Sequence, residues 1–557
     1  MSSVALAVAG AARAAGGLVD RALARPRATL AALAVTQLAA TVVFALGVAT
    51  HNGWVWFQGG DQIWYTSDAW LLGRLTLPPA DVGFGWPLLL VPAGWALGQT
   101  FVEQLPFVIA LDVLVLAPLA LVCVHTLGTR IGGRLLGLWA SVLWIAAPFA
   151  AIPLFVDRYH ERWVDQFLPQ ALGLTALADY ASMVAALVVA VLVVRALERR
   201  AWEDAALAGL VLGFAGLMKP PNYLLVGGVA LAFLVAGRWR ELVVAGAAVV
   251  PSLVALAVFK ERGLGFVPAF SLDETRLAAG ALIGELDADR YISFDLDHWR
   301  TQMAQLREYF WSARLAQWAP LAGVIAVARV RLPVAALLAG WLGAFVLVKG
   351  TSVQASIEAN TFWRLLMPAW PAYLLLLASI PLLVPTLARR LGPPRVRPEP
   401  WRLATGRRAV VAAAAALAVA PTVLVAAAPG ISASDPFVIR PERETITLTP
   451  VSGRLAPAVS REGGSVRLRW DAWQSRSKVS YRVYRLADGR SDVYCQRWGA
   501  IERCMLAAVP VADVTGTEWV DPDAPAAAVY RVGVAVRYDG GVVGSDVFAL
   551  SPPVAAP

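Results

Sequence analysis

Apolar runs of about 20 residues recur between Thr29 and Ala428, each closed by a short polar turn. A run of that length matches the hydrocarbon thickness of a bilayer. Only helices and closed barrels satisfy their own backbone hydrogen bonds there. This feature restricts the chain to a polytopic helical membrane bundle. Composition agrees: 58% of the residues are hydrophobic and 16% charged, where soluble domains sit near 45–50% and about 25%. The formal charge of +9 does not point to nucleic acid, because the arginines gather in turns between runs, the positive-inside pattern.

Residues 1–28 carry Arg13, Arg21, Arg25 and Arg27 and read as cytoplasmic. They lead into a full-length span, roughly Thr29 to Thr50, without the short apolar core and cleavage site of a signal peptide. Further runs lie near 105–126, 135–155, 180–197, 205–218, 223–236, 242–259, 320–330, 333–348, 365–385 and 409–428. Each expected inner turn bears arginine. The parity predicts about eleven spans of a plasma-membrane protein, with the N-terminus inside and the C-terminus outside. Loops 51–104, 156–179 and 260–316 then lie outside. Within the first of them, Trp86 to Leu97 is apolar but too short to cross, and reads as an interfacial or re-entrant helix.

After Gly430 the pattern changes to short alternating runs, SVRLRW, SYRVYRL, TEWVD, VYRVGVAVRY and GSDVFAL. Period two with β-branched and aromatic residues predicts strands, and about seven in about 100 residues predict a β-sandwich. The chain divides into a multi-spanning domain at 1–430, a linker at 431–459 and an extracytoplasmic all-β domain at 460–557. Cys495 and Cys504 fall in the β region, an oxidising setting, and are expected to form a disulfide. Cys123 lies within a span and reads as packing; no zinc-ligand spacing is present.

Chemistry-bearing residues concentrate in the outer loops. In the loop HNGWVWFQGGDQIWYTSDAW, one carboxylate, Asp61, follows Gly59 and Gly60 and is surrounded by aromatics. It either caps the helix that follows or works at the membrane boundary, where an unpaired charge is costly. Asp68, about two turns further along the same helix, is expected to tolerate Asn. The second outer loop holds Asp157, Tyr159, His160, Glu161 and Asp165. It is either a solvated loop or a site for a divalent cation or a proton relay. The pairs Asp287/Asp289 and Asp295/Asp297 read as a solvated loop. The chain has four lysines, and Lys219, Lys260 and Lys349 fall at outer ends of spans, against the positive-inside bias. Arg364 begins a span on the same side. Snorkelling accounts for each singly; several around one pocket suit a lipid-phosphate head group. No P-loop, dinucleotide fingerprint or hydrolase elbow is present.

The stretches GGDQIWYTSDAWLLGRL, FGWPLLLVPAGWALG, LMKPPNYLL and FWRLLMPAWPAYLLLLA, in that order and on one side of the membrane, resemble the GT-C-fold membrane glycosyltransferases, the polyprenyl-phosphate mannosyltransferase-like superfamily. The resemblance covers about residues 30–385. It implies a polyprenyl-phosphate sugar donor, direct inverting transfer of a hexosyl or pentosyl group, and Asp61 as general base. It also implies Lys219, Arg364 and Lys349 about the lipid phosphate, and a glycan, lipid or protein of the cell envelope as acceptor. Relatives commonly carry a second acid after the first; here Gln62 follows Asp61, which leaves a divalent cation as an open cofactor. Residues 460–552 resemble a fibronectin type III domain. Three other readings stay open: an inactive anchor presenting the β domain, a lipid-linked-saccharide transporter, and a ligase using lipid-diphosphate oligosaccharides.

Overall fold

The computed structural model describes residues 17, 19–46, 61–78, 82–97, 101–151, 165–264, 295–309, 313–350, 361–391, 407–429, 438–440, 445–447, 455–473, 479–486, 493–498, 501–506, 508–537 and 543–557. Its helices are, in order, α1 (Pro26–Phe44), α2 (Asp61–Leu72), α3 (Gly85–Ala96), α4 (Phe101–Leu111) and, after a π turn at Asp112–Leu116, α5 (Ala117–Gly132). Then come α6 (Arg134–Ala151), α7 (Asp165–Ala171), α8 (Ala178–Arg199), α9 (Trp202–Met218), α10 (Leu225–Val235), α11 (Trp239–Leu264) and α12 (Leu296–Tyr309). The last are α13 (Ala313–Val348), α14 (Thr361–Leu366), α15 (Trp370–Ser379), α16 (Pro385–Leu391) and α17 (Arg407–Ala427).

The chain is a multi-pass membrane protein. Among the described residues seven helices are long and apolar enough to cross a bilayer, fewer than the eleven that arginine parity predicts. Part of the difference lies in α13. The runs at 320–330 and 333–348 are two helices that meet at Arg331, whose backbone is extended (φ −149°, ψ 84°), and they count once among the seven. The run at 205–218 forms the 17-residue α9, short of a full crossing by that measure. The central helix is α8, most of whose side chains are buried. Around it α5, α6, α9, α10, α13 and α15 share one apolar core. By contrast α1 and α17 present bare apolar faces, with Val35 66% and Leu417 73% exposed, the surface expected against lipid.

Charges on α8 sit only near its ends: Asp179 in the first turn and Arg195, Glu198 and Arg199 toward the last. At 1.5 Å per residue Asp179 and Glu198 are about 28 Å apart, close to the hydrocarbon thickness. At the far end Glu198 accepts from both Arg130 and, at 2.6 Å, Arg331. Arg331 also donates to the Arg130 carbonyl at 2.9 Å. The break in α13 is thus fastened to α5 and α8. All three side chains are less than one-fifth exposed. Glu198→Ala strands two guanidinium groups there and is expected to cost about 3–5 kcal/mol, measured as thermal unfolding of the detergent-solubilised protein. The exposed pair Arg300–Asp297 is the control, and Asp297→Ala should leave the unfolding temperature unchanged.

The C-terminal region is all-β. Strands β1 (Val438–Arg440), β2 (Thr445–Thr447), β3 (Ala458–Glu462), β4 (Ser465–Arg469), β5 (Val479–Leu486) and β6 (Val493–Trp498) come first. They are followed by β7 (Ile501–Leu506), β8 (Ala508–Val514), β9 (Glu518–Asp521), β10 (Val529–Arg537), β11 (Val543–Leu550) and β12 (Val554–Ala555). They form sheets of order β3-β4-β9, β11-β10-β5-β8 with β12 also on β10, and β1-β2-β7-β6. The core holds Trp470 edge-on to Tyr481 at 5.3 Å, and the Tyr530 hydroxyl donates to Asp521 at 2.7 Å. Strands β1 and β2 lie inside the stretch 431–459 read as a linker. They are only three residues long; β2 pairs with β7 of the hairpin β6–β7 and β1 pairs with β2, so their order comes from a distant partner.

That hairpin places Cys495 directly opposite Cys504 in register. Directly opposed residues are within disulfide reach, and the expected outcome is one bond closing a short loop. Mass spectrometry of membranes from unstressed cells should find both residues in one cross-linked peptide. Two free thiols would contradict it.

Candidate functional site

The corner KPPNY fixes one wall of the site. Pro220 disfavours helical backbone at the residue before it, and Lys219 accordingly ends α9 at φ −150°, ψ 108°. Asn222 turns back and donates from Nδ2 to the Ala215 carbonyl at 2.7 Å, which also accepts the Lys219 N–H at 3.0 Å. Tyr223 lies across Gly216, where a Cβ would fall 2.2 Å from its ring. The chain entering α3 crosses the end of α9 as closely: a Cβ on Gly83 would sit 1.9 Å from the Met218 carbonyl oxygen.

Against this corner the structure assembles a chain of alternating charges. Asp61, in the first turn of α2, accepts from Arg364 Nη2. Arg364 Nε donates to Asp179 Oδ2 at 3.1 Å, and Lys219 Nζ donates to the other oxygen of Asp179. Four stretches separated by up to 303 residues meet here. The Asp179 side chain is 1% exposed, Lys219 11%, Arg364 24% and Asp61 34%, so the cluster opens on the Asp61 side. Acidic groups at the N-terminal turns of α2 and α8 also sit favourably against the helix dipoles.

Among the sequence-predicted residues, Asp61, Lys219 and Arg364 are brought together. Lys349 is buried at the C-terminal end of α13. Asp157, His160 and Glu161 lie outside the described residues, and Asp165 begins α7. Among the described residues no group of three or more His, Cys, Asp or Glu side chains is placed to hold a metal ion. Asp68 is 2% exposed, so it is a packed position and a poor neutral control.

Sequence reading missed Asp179, which joins the two cations. Its signal was a carboxylate in the first turn of an apolar helix, where a charge is expensive unless paired. It also missed the part played by Gln62. That side chain is fully buried, and its Oε1 accepts the Ala176 N–H at 2.6 Å, while Trp86 Nε1 donates to the Ala176 carbonyl at 2.9 Å. One residue, Ala176, three before Asp179, is thereby held through its N–H and its carbonyl. Tyr65, 3% exposed, packs nearby. Burial first, and then the charge of Asp61, holds its hydroxyl well above the ordinary range, so it stays neutral.

The fold is similar to solved structures of the oligosaccharyltransferase AglB from Archaeoglobus fulgidus. For its complex with an inhibitory peptide and a dolichol-phosphate, identity is 14% and the TM-score 0.38, over 73% of this chain and 57% of that one. For the apo form the values are 14% and 0.38, over 72% and 57%. The complex with zinc and sulfate gives 15% and 0.36, over 72% and 54%. The chain thus spans little more than half the length of those proteins. No family model and no curated protein matches it.

Proposed function

We propose that the protein is an integral-membrane glycosyltransferase that moves a sugar from a polyprenyl-phosphate donor to a cell-envelope acceptor on the extracytoplasmic face. The observation that carries this reading is the meeting of Asp61, Lys219 and Arg364 around the buried Asp179. The cations keep donors to spare: Arg364 Nη1 makes no hydrogen bond among the described residues, and Lys219 uses one of its three N–H groups, on Asp179. These suit a phosphate that carries a sugar and a lipid tail. The acceptor hydroxyl attacks the anomeric carbon and its proton passes to the Asp61 carboxylate. The carbon–oxygen bond to phosphate breaks, and the electron pair leaves on a lipid monophosphate stabilised by Arg364 and Lys219. Attack opposite the leaving group inverts the anomeric carbon.

The single acid at the first loop does not make the chain an inactive anchor, because Gln62 has the structural task of holding Ala176. The C-terminal β domain fits a fibronectin type III-like unit, with sheets β3-β4-β9 and β8-β5-β10-β11 and a hairpin β6–β7 inserted between β5 and β8, and would orient or space the acceptor. A second reading, a lipid-linked-saccharide transporter, is favoured by one observation. Asp112, in the π turn, is fully buried with neither carboxylate oxygen hydrogen-bonded among the described residues, and such a group within a span commonly marks an ion path. Membranes containing the protein, given polyprenyl-phosphate hexoses and pentoses, separate the two. Acceptor-dependent release of free polyprenyl phosphate from one donor is expected. Movement of intact donor between leaflets without release would favour the transporter and overturn the proposal.

A further inference from the structure

We infer that the donor phosphate and Asp61 compete for one guanidinium, so that donor binding unmasks the base. The inference rests on the glycosyltransferase reading of the site. Arg364 turns one edge, Nε and Nη2, toward two different carboxylates: Nε to Asp179 at 3.1 Å and Nη2 to Asp61. Asp179 is 1% exposed and also holds Lys219, so it is the fixed anchor; Asp61 is 34% exposed and is the partner that can be displaced. The two carboxylates and two cations cancel, so an incoming anion gains a net positive site only when one carboxylate gives up its share. The end-on fork of Arg364, Nη1 with Nη2, is the edge that takes a phosphate in bidentate fashion.

A phosphate on that fork draws Nη2 from Asp61 while Nε stays on Asp179. A carboxylate held by a guanidinium accepts a proton less readily than one released from it. The base is therefore restrained by Arg364 while the donor site is empty and released from Arg364 when the donor is seated, which orders the two substrates. Asp179 acts as a positioning residue: it keeps Arg364 and Lys219 side by side through the exchange.

The test is titration of the purified protein in phosphatidylcholine nanodiscs with farnesyl monophosphate, farnesol serving as the phosphate-free control. Wild type, Asp61→Asn, Arg364→Lys and the double variant are compared. Asp61→Asn removes the competitor and is expected to bind farnesyl monophosphate about fivefold more tightly. In the Arg364→Lys background, which keeps the charge but has no fork, the same change should shift affinity by less than about twofold. Binding by wild type with no tightening in Asp61→Asn would overturn the competition and leave the glycosyltransferase reading standing. Tightening of equal size in both backgrounds would also overturn it, since that is simple charge repulsion. Folded wild type and folded Asp61→Asn that both fail to bind would remove the anion site, and with it the proposed function.

Discussion

Asp61→Asn should abolish most sugar transfer, by about 10²- to 10⁴-fold, the usual contribution of a positioned general base. The substitution keeps shape and removes the proton acceptor. It also removes one partner of Arg364, yet Arg364 retains Asp179, so the bundle should still assemble and express normally. The assay uses purified membranes with a defined polyprenyl-phosphate sugar and an envelope acceptor, scored as product per enzyme. Asp297→Asn is the control, since Asp297 lies on an exposed helix with its side chain 90% accessible. A wild-type rate in Asp61→Asn would reduce Asp61 to a helix-terminal residue and move the search for the base to Asp157 and Asp165.

The second large effect is on stability. Asp179→Ala leaves Lys219, 11% exposed, without its partner and Arg364 with only Asp61. Removing one member of a buried ion pair typically costs about 3–5 kcal/mol, whereas replacing the whole pair by apolar groups is often neutral. Asp179→Ala should therefore lower the unfolding temperature sharply. The double variant Asp179→Ala/Lys219→Met should recover most of the loss while transfer stays absent. Recovery of stability together with transfer would show that the pair only holds helices together.

Much of this site was legible in the residues. Asp61 stands out as one carboxylate among aromatics after two glycines, the lysines stand out because the chain otherwise uses arginine, and Arg364 sits on the side where the positive-inside bias disfavours it. Asp179 did not stand out. In ALADYASM it reads as the end of a loop, and only the approach of α14, 185 residues later, shows what it pairs with. Gln62 looked like a lost acid, because the peptide it holds lies 114 residues away. Asp112 hid as one polar letter in an apolar run.

The fold divides in the same way. Apolar runs and arginine-bearing turns made the bundle readable, and ARVRLP announced the break at Arg331 by placing two arginines and a proline between apolar halves. The number of crossings was less readable, since a run such as the 17-residue α9 falls short of a full span by a few residues. Strands β1 and β2 were not readable at all. Three-residue strands carry too little pattern to be seen, and they exist because β7 offers β2 an edge and β2 in turn pairs with β1.

The most direct test of the central claim is the lipid extract of a strain lacking the chain, examined by mass spectrometry for polyprenyl-phosphate sugars. The deletion strain, and the same strain carrying Asp61→Asn, are expected to accumulate one lipid monophosphate sugar that the wild-type copy clears. Unchanged lipid-phosphate sugars in the deletion strain would contradict the proposed donor and the role given to Arg364 and Lys219.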